Sequence, residues 1–261
     1  MLNSVTRTHL AELLAEAQRT ATPITALSAV HPELDIADAY AIAQLNIARR
    51  IGGGATPVGY KVGLSSTAVQ AMVAAPEPDY GQLLAEMELP EGGAVRRVDY
   101  LQPKLEVEVG FLLAGDLPGS GCTEDDVLAA TAAYIPALEL VDSRIAHWDV
   151  TVVDTIADNA SAAGFVLGKA RVSPKDVDIT TISAQLVGDG DLLAEGHSQA
   201  VLGSPVSAVV WLAQKLDTTG IRLKSGDLVL TGACTPPVDI GMVSRFTATL
   251  SGLGRVALSF R

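Results

Sequence analysis

At 261 residues, with 48% hydrophobic content and a net charge of −12, the chain has ample material for a sizeable core, as one large domain or two small ones. No basic run is present to neutralise phosphates, which excludes nucleic-acid binding as a main role, and no stretch approaches the ~18 uninterrupted apolar residues of a membrane helix. The N-terminal "MLNSVTRTHLAELLAEAQRT" carries charge throughout and lacks the apolar centre of a signal peptide, and two cysteines, Cys122 and Cys234, make no disulfide framework, so a cytoplasmic protein is expected. Charged residues reach only 18%, below the usual ~25%. With so much Ala, Val and Leu, that suits an oligomer hiding part of its surface.

Residues 5 to 20 have the spacing of an amphipathic helix, with Leu10, Leu13, Leu14 and Ala17 on its apolar face. "DIADAYAIAQLNIARR", 35 to 50, predicts a second helix, capped by Asp35 and ended by the glycines at 52 to 54. Residues 1 to 57 are therefore expected to form a helical cap, and 58 to 261 a β-rich core. "VGYKVGL" predicts a short strand, "STAVQAMV" a helical turn and "APEPDYG" a proline-rich loop. One or two strands are expected in "RRVDYLQPKLEVEVGFLLAG", a helix in "TEDDVLAATA" and a strand in "AYIPALELVDSRI". "DITTISAQLVGDGDLLAEGHS" has the form of a hairpin turning at "GDGD", and "SPVSAVVWLAQKLDTTG" that of a helix ended by Gly220. "KSGDLVLTGACTPP" and "SRFTATLSGLGRVALSF" complete the strands. The class is α+β, without regular βαβ alternation, and no nucleotide-binding glycine motif appears.

The chemistry lies in the strand "KLEVEVGFLL", 104 to 113. Glu106 and Glu108 are two apart, so they share one face of an otherwise apolar strand. Glu139 sits in a second apolar run, "YIPALELVDS". An exposed strand edge would make such charges ordinary, and Lys104 or Arg144 would also neutralise one of them. If the strands are buried, however, the carboxylates repel each other and are costly unless paired or metal-bound. Three carboxylates without a Cys–His set call for a hard cation, Mg²⁺ or Mn²⁺, with water and substrate oxygens completing the octahedron.

"PKLEVEVGF", followed 31 residues after Glu108 by Glu139 in "ALELVDSRI", resembles the fumarylacetoacetate hydrolase superfamily. "GYKVGLSS", "PDYGQL", "VDSRIAHWDVTVVDTIADNAS", "LVLTGA" and the final "GLGRVALSF" resemble more narrowly its 2-keto-4-pentenoate hydratase and 4-oxalocrotonate decarboxylase branch. The likeness runs from about residue 10 to the C-terminus. It departs from the family pattern in "AAPEPDYG", before Tyr80, and in "DIGMVSRF", where an expected aspartate is missing. The resemblance implies a mixed β-roll or barrel-like core with an N-terminal helical cap, a homo-oligomer, and association with the downstream aldolase or another pathway enzyme. It implies hydration of 2-hydroxy-2,4-dienoates to 4-hydroxy-2-oxoalkanoates in meta-cleavage degradation of aromatic or steroid rings. The rival activity is decarboxylation of 4-oxalocrotonate at the same metal site. Carbon–carbon bond hydrolysis is the third, and it would need a His–Glu dyad, for which only His31 and Glu33 are in place.

By the same resemblance Glu106, Glu108 and Glu139 hold the metal. Lys61, flanked by glycines and apolar residues, holds the substrate carboxylate or assists proton transfer, and Asp79 carries a proton. Asp158, Asn159 and Ser161 either cap a helix or face the site. Thr231 and Gly232 are expected to bring a hydroxyl or backbone amide to the substrate, glycine permitting the close approach. His147 lies near the acidic strand but reads as surface. Cys234 is a wall residue without a nucleophile's surroundings, and Trp148 and Trp211 read as packing.

Overall fold

The computed structural model describes residues 1–261, apart from the side chain of Thr67. Three helices lead: α1 (Ser4–Thr20), α2 (Leu27–Val30) and α3 (Ile36–Gly52). Asn3 caps α1 by accepting from the Thr6 N–H, and Asp35 caps α3 by accepting from the Asp38 N–H, as its position predicted. Leu10, Ala11, Leu14 and Ala17 form the buried stripe of α1. Leu13 stays 37% exposed, because the stripe leans towards Ala11 on the other side of Leu10. Buried Asp38 ties the two long helices together. It accepts from the Leu2 N–H and the Arg7 guanidinium, each at 2.8 Å.

The rest of the chain runs β1 (Pro57–Gly63), α4 (Thr67–Met72), β2 (Asp79–Leu84), β3 (Ala94–Val95), β4 (Lys104–Leu113), α5 (Glu124–Ala130), β5 (Thr131–Val141), α6 (Val152–Ala157) and β6 (Ala162–Leu167). It continues through the hairpin β7 (Ser183–Gly188) and β8 (Asp191–His197), then α7 (Pro205–Asp217), β9 (Leu228–Ala233), β10 (Val238–Asp239), β11 (Arg245–Leu250) and β12 (Gly254–Phe260). The helices α2 and α6 and the short strands β3 and β10 have no counterpart among the sequence expectations. Asp79 corrects another of them: it opens β2 rather than sitting in the loop, since Pro78 bars only what precedes the strand.

Two sheets result. The first has the order β2-β1-β9-β4-β5-β6, with β10 on the end of β4, and the second the order β3-β12-β11-β7-β8. Pairing is antiparallel except for β1 with β9 and β12 with β3, so the architecture is α+β with mixed sheets. Side-chain alternation then sorts the first sheet into two faces. Tyr60, Val62, Leu105, Val107, Val109, Phe111, Leu138 and Val229 pack on one side, with Phe246, Val256 and Leu258 of the second sheet and Val209 and Leu212 of α7. Ile135, Ala137, Leu228 and Leu230 lie on the other side, against Ile47 of α3.

The helical cap shares its core with the rest of the chain. Leu10, Leu14 and Ile42 cluster with Ile145, Ile156 and Ala157. Residue 57 thus marks the change from helices to strands, while packing crosses it. No helix among the described residues is long and apolar enough to cross a membrane.

Candidate active site

The face of the first sheet that looks towards α3 and α6 is where the charged residues converge. In the antiparallel pairing of β4 with β5, Glu106 stands directly opposite Glu139, and Glu108 follows on the same face. β4 lies between β9 and β5, so the glutamates are interior to the sheet and not on an edge. Glu108 and Glu139 are fully buried and Glu106 is partly open. One carboxylate oxygen from each of the three lies within 4.8 Å of the other two.

Lys61 belongs to the same face, since its neighbours Tyr60 and Val62 point the other way. Its ammonium sits 3.3 Å from Glu139 Oε2 and donates to the Ala160 carbonyl at 2.9 Å. Asp79 is buried across β1 from it, paired in register with Gly63. A Cβ on Gly63 would overlap the Asp79 carboxylate and crowd the Lys61 ammonium, so glycine there leaves the room both groups occupy. Lys104 and Arg144, the alternative partners for the glutamates, are engaged elsewhere: Lys104 with Asp239 and Arg144 with Asp158.

The carboxylates are not satisfied by this arrangement. Glu108 Oε1, both oxygens of Glu139, Asp79 Oδ1 and the Ser161 hydroxyl are buried without a hydrogen-bond partner. Orphaned carboxylate oxygens are expensive, and the converging oxygens of Glu106, Glu108 and Glu139 form a donor set that fits a hard divalent cation. Burial, with repulsion from Glu139 and Asp79 and only partial relief from Lys61, pushes Glu106 up to about 7. Burial also drives Glu108 well above the carboxylate range, helped by Glu139 and Glu106, and raises Glu139 and Asp79. For Lys61 burial alone would favour the neutral amine. The surrounding carboxylates, Glu139 foremost, outweigh it and hold the ammonium charged.

These shifts predict how the metal-free protein responds to pH. Glu106 has a folded-state value of about 7 against an ordinary 4.5, so between those values the folded chain binds more protons than the unfolded one. Its stabilising contribution is complete below 4.5 and lost as pH rises through 7. The raised Glu108, Glu139 and Asp79 act in the same sense, while Lys61 stays protonated throughout. Chelator-treated protein is expected to melt lower at pH 8 than at pH 5.5, by on the order of 5 °C. Added Mn²⁺ should raise the melting temperature more at pH 8, because fewer protons must then be displaced. Calorimetric scans at both pH values check this, and a pH-independent metal-free melting temperature would contradict it.

The remaining expected site residues divide. The Gly232 N–H donates to Glu108 Oε2 at 2.8 Å, from a backbone at φ 110° where a Cβ would overlap Ser65. The Thr231 hydroxyl donates to the Val109 carbonyl at 3.0 Å. Both donors are committed within the protein, next to the irregular pairing between Glu108 and Gly110. Cys234 is buried in the main core, and burial, with Glu108 nearby, pushes its thiol up to about 12, which leaves it inert at neutral pH. His147 is exposed. His31 and Glu33 do meet, at 3.2 Å, but in the loop between α2 and α3 rather than on the carboxylate-bearing sheet. Trp148 and Trp211 donate to the Gln102 carbonyl and to Glu77, in keeping with packing roles. Sequence reasoning missed the Ala160 carbonyl as the partner of Lys61; its one signal was Asn159, a residue type enriched in left-handed turns.

Fold and site together define a mixed-sheet protein with a buried carboxylate centre, able to hold a divalent cation and leave coordination positions for a ligand. The family model described as the C-terminal part of fumarylacetoacetate (FAA) hydrolase matches residues 65–261. A 2-keto-4-pentenoate hydratase of Paraburkholderia phymatum is 41% identical over 251 residues, covering 96% of each chain. A 2-hydroxyhexa-2,4-dienoate hydratase of Comamonas testosteroni is 38% identical, covering 95% of this chain and 94% of that one. Among solved structures, the 4-oxalocrotonate decarboxylase of Pseudomonas putida G7, complexed with magnesium and adipate, superposes with a TM-score of 0.95 at 32% identity, covering 100% of this chain and 99% of that one. The chain belongs to the fumarylacetoacetate hydrolase family.

Proposed function

We propose that this chain is a divalent-metal-dependent hydratase that converts 2-hydroxy-2,4-dienoates to 4-hydroxy-2-oxoalkanoates in meta-cleavage degradation of ring compounds. The observation that carries the reading is Glu106 set opposite Glu139, with Glu108 beside them and Lys61 3.3 Å from Glu139. The names of the hydratase relatives supply the substrate class. Glu106, Glu108 and Glu139 would hold Mg²⁺ or Mn²⁺. When bound, such a cation supplies Lewis-acid stabilisation of negative charge on the substrate's C1 carboxylate and C2 oxygen.

The chain's own residues do the rest. Lys61 holds the substrate carboxylate with an N–H not used by the Ala160 carbonyl. Asp79, raised by burial and so able to keep a proton, delivers it to C5 while the C2 hydroxyl gives up its own proton to solvent, so that the diene becomes a 2-oxo-3-enoate. Water then adds across C3–C4, its oxygen bonding to C4 and a proton going to C3. Ser161, buried with a free hydroxyl, is the remaining candidate to touch substrate. Gly232 acts by fixing Glu108, whereas Thr231 ties β9 to β4 through the Val109 carbonyl.

A monocarboxylate substrate is favoured because, among the described residues, Lys61 and Arg144 are the buried cations, and Arg144 is occupied by Asp158. A dioate would bring a second carboxylate with no buried cation to meet it. A homo-oligomer in the cytoplasm belongs to the same reading, as does association with the downstream aldolase or another pathway enzyme. The low charge content and exposed Met72, Val98 and Met242 support such surfaces.

The test uses chelator-treated protein and 2-hydroxypenta-2,4-dienoate, following diene absorbance with and without Mg²⁺ or Mn²⁺. Metal-dependent loss of the diene with a product one water heavier is expected. Absence of hydration together with CO₂ release from 2-oxohex-3-enedioate would move the chain to the decarboxylases.

A further inference from the structure

Behind the site the backbone does something unusual. Asn159, Ala160 and Ser161 follow one another at φ 54°, 51° and 54°, three successive non-glycine residues in the left-handed region. Each is a conformation that L-residues avoid, and such runs persist only where the surroundings over-determine them. Here two clamps do so. Arg144, 4% exposed, holds one end. Its backbone N–H donates to Asp158 Oδ2 at 2.9 Å, Nε donates to Asp158 Oδ1, Nη2 to the Asp158 carbonyl at 2.5 Å and Nη1 to the Ala162 carbonyl at 3.4 Å. Asn159 holds the turn to β2 like an added strand residue: its Oδ1 accepts from the Gln82 N–H at 2.8 Å and its Nδ2 donates to the Gln82 carbonyl at 3.0 Å.

The product of this strained turn is the direction of the Ala160 carbonyl, which accepts from Lys61 Nζ at 2.9 Å. An ammonium has three donors. One goes to Ala160, while Glu139 Oε2, 3.3 Å away, is an ion-pair neighbour that accepts no hydrogen bond, so the Ala160 bond alone fixes the cone on which the other two N–H groups lie. Arg144 touches neither Lys61 nor the glutamates by any of its hydrogen bonds. Its four donors all end on the two residues that flank the turn.

We infer that Arg144 is a positioning residue: through Asp158 and the left-handed turn it sets the Ala160 carbonyl, and thereby orients the free N–H groups of Lys61 towards the carboxylate of a metal-anchored ligand. The inference deepens the hydratase reading and rests on it for the ligand class.

The test is a double-mutant cycle on Mn²⁺-loaded protein, with oxalate as a planar stand-in for a 2-oxo carboxylate and binding measured by titration calorimetry. Arg144→Lys keeps the charge but loses the fork. It is expected to weaken oxalate by roughly tenfold or more, the size typical of outer-shell supports, with Mn²⁺ affinity nearly unchanged. In a Lys61→Met background the same substitution should cost no more than about twofold, because the effect runs through Lys61. Asn159→Gly, which tolerates positive φ and removes only the bridge to Gln82, should show the same pattern more weakly, and it carries the test should Arg144→Lys not fold.

Losses that multiply independently in the cycle, or unchanged oxalate affinity in both variants, overturn the assignment. A crystal structure of either variant decides the turn separately. Loss of the Ala160–Lys61 bond is expected, and an unaltered turn and bond would overturn the inference. If oxalate does not bind the unsubstituted Mn²⁺-loaded protein, the functional reading fails, while the structural comparison still decides whether the clamp sets the turn.

Discussion

Glu139→Gln is expected to lower hydratase activity by at least about 10³-fold while raising the melting temperature of the metal-free protein at pH 8. The two effects have one cause. Glutamine keeps the shape of glutamate but not its charge, so the proposed centre loses an anionic ligand, and among the described residues no other carboxylate joins Glu106 and Glu108 in that group. In the metal-free protein the same charge is a burden. Glu139 has two carboxylates with oxygens within 4.8 Å and one ammonium at 3.3 Å. At an effective dielectric of ~20, each ionised carboxylate pair at that spacing repels by about 3 kcal/mol, and the ammonium attracts by about 5 kcal/mol. Repulsion wins by about 1–2 kcal/mol, an upper figure because the site keeps protons at lower pH. Removing the charge therefore relieves the metal-free site as it disables the metal-loaded one. Titration calorimetry with Mn²⁺, diene absorbance and thermal scans read the three quantities. Retained Mn²⁺ affinity would show that Glu106 and Glu108 suffice and that Glu139 serves Lys61 instead.

How far the sequence carried this site depends on which interactions are local. The two-residue spacing of Glu106 and Glu108 places them on one face whatever else the fold does. The apolar surroundings of Glu139 showed that its charge needed a partner. That Glu106 meets Glu139 in register is a non-local fact, set by how β4 and β5 pair over their whole length, and neither strand alone specifies it. The same holds for Lys61: flanking glycines marked it, but its partner Ala160 comes from a turn whose backbone, not its side chains, makes the contact. Thr231 illustrates the opposite difficulty. Its neighbour Gly232 shares a face with Lys61, so alternation turns Thr231 to the main core, where its hydroxyl finds Val109. Adjacency in sequence suggested a common role that the period of a strand forbids. α1 was legible from its apolar spacing, and α3 from Asp35 as a cap, whereas the Asn3 cap of α1 and the reciprocal bond of Thr123 with Asp126 show only in the structure.

Lys61→Met should also cost about 10³-fold in kcat/KM, but with every accompanying sign reversed relative to Glu139→Gln. Lys61 is the buried cation facing Glu139, Glu106, Asp79 and Glu108, and its charge is held by them against burial. Without it the centre is more negative, so Mn²⁺ is expected to bind tighter, by roughly tenfold, as a charge-for-charge replacement. The metal-free protein should be destabilised by about 3–5 kcal/mol, the usual result of removing one partner from a buried pair, with further proton uptake limiting the loss at low pH. Lys61→Arg separates charge from shape. It restores the cation, and with it near-original Mn²⁺ affinity, but its wide fork has no room between Gly63, Asp79 and the Ala160 carbonyl, so the rate should stay low. Calorimetry and stopped-flow diene absorbance on the two variants distinguish the roles. A fast Lys61→Arg would mean that Lys61 contributes only charge. A slow one with intact metal binding means that the direction of a single N–H, set by the Ala160 carbonyl, is what the reaction requires.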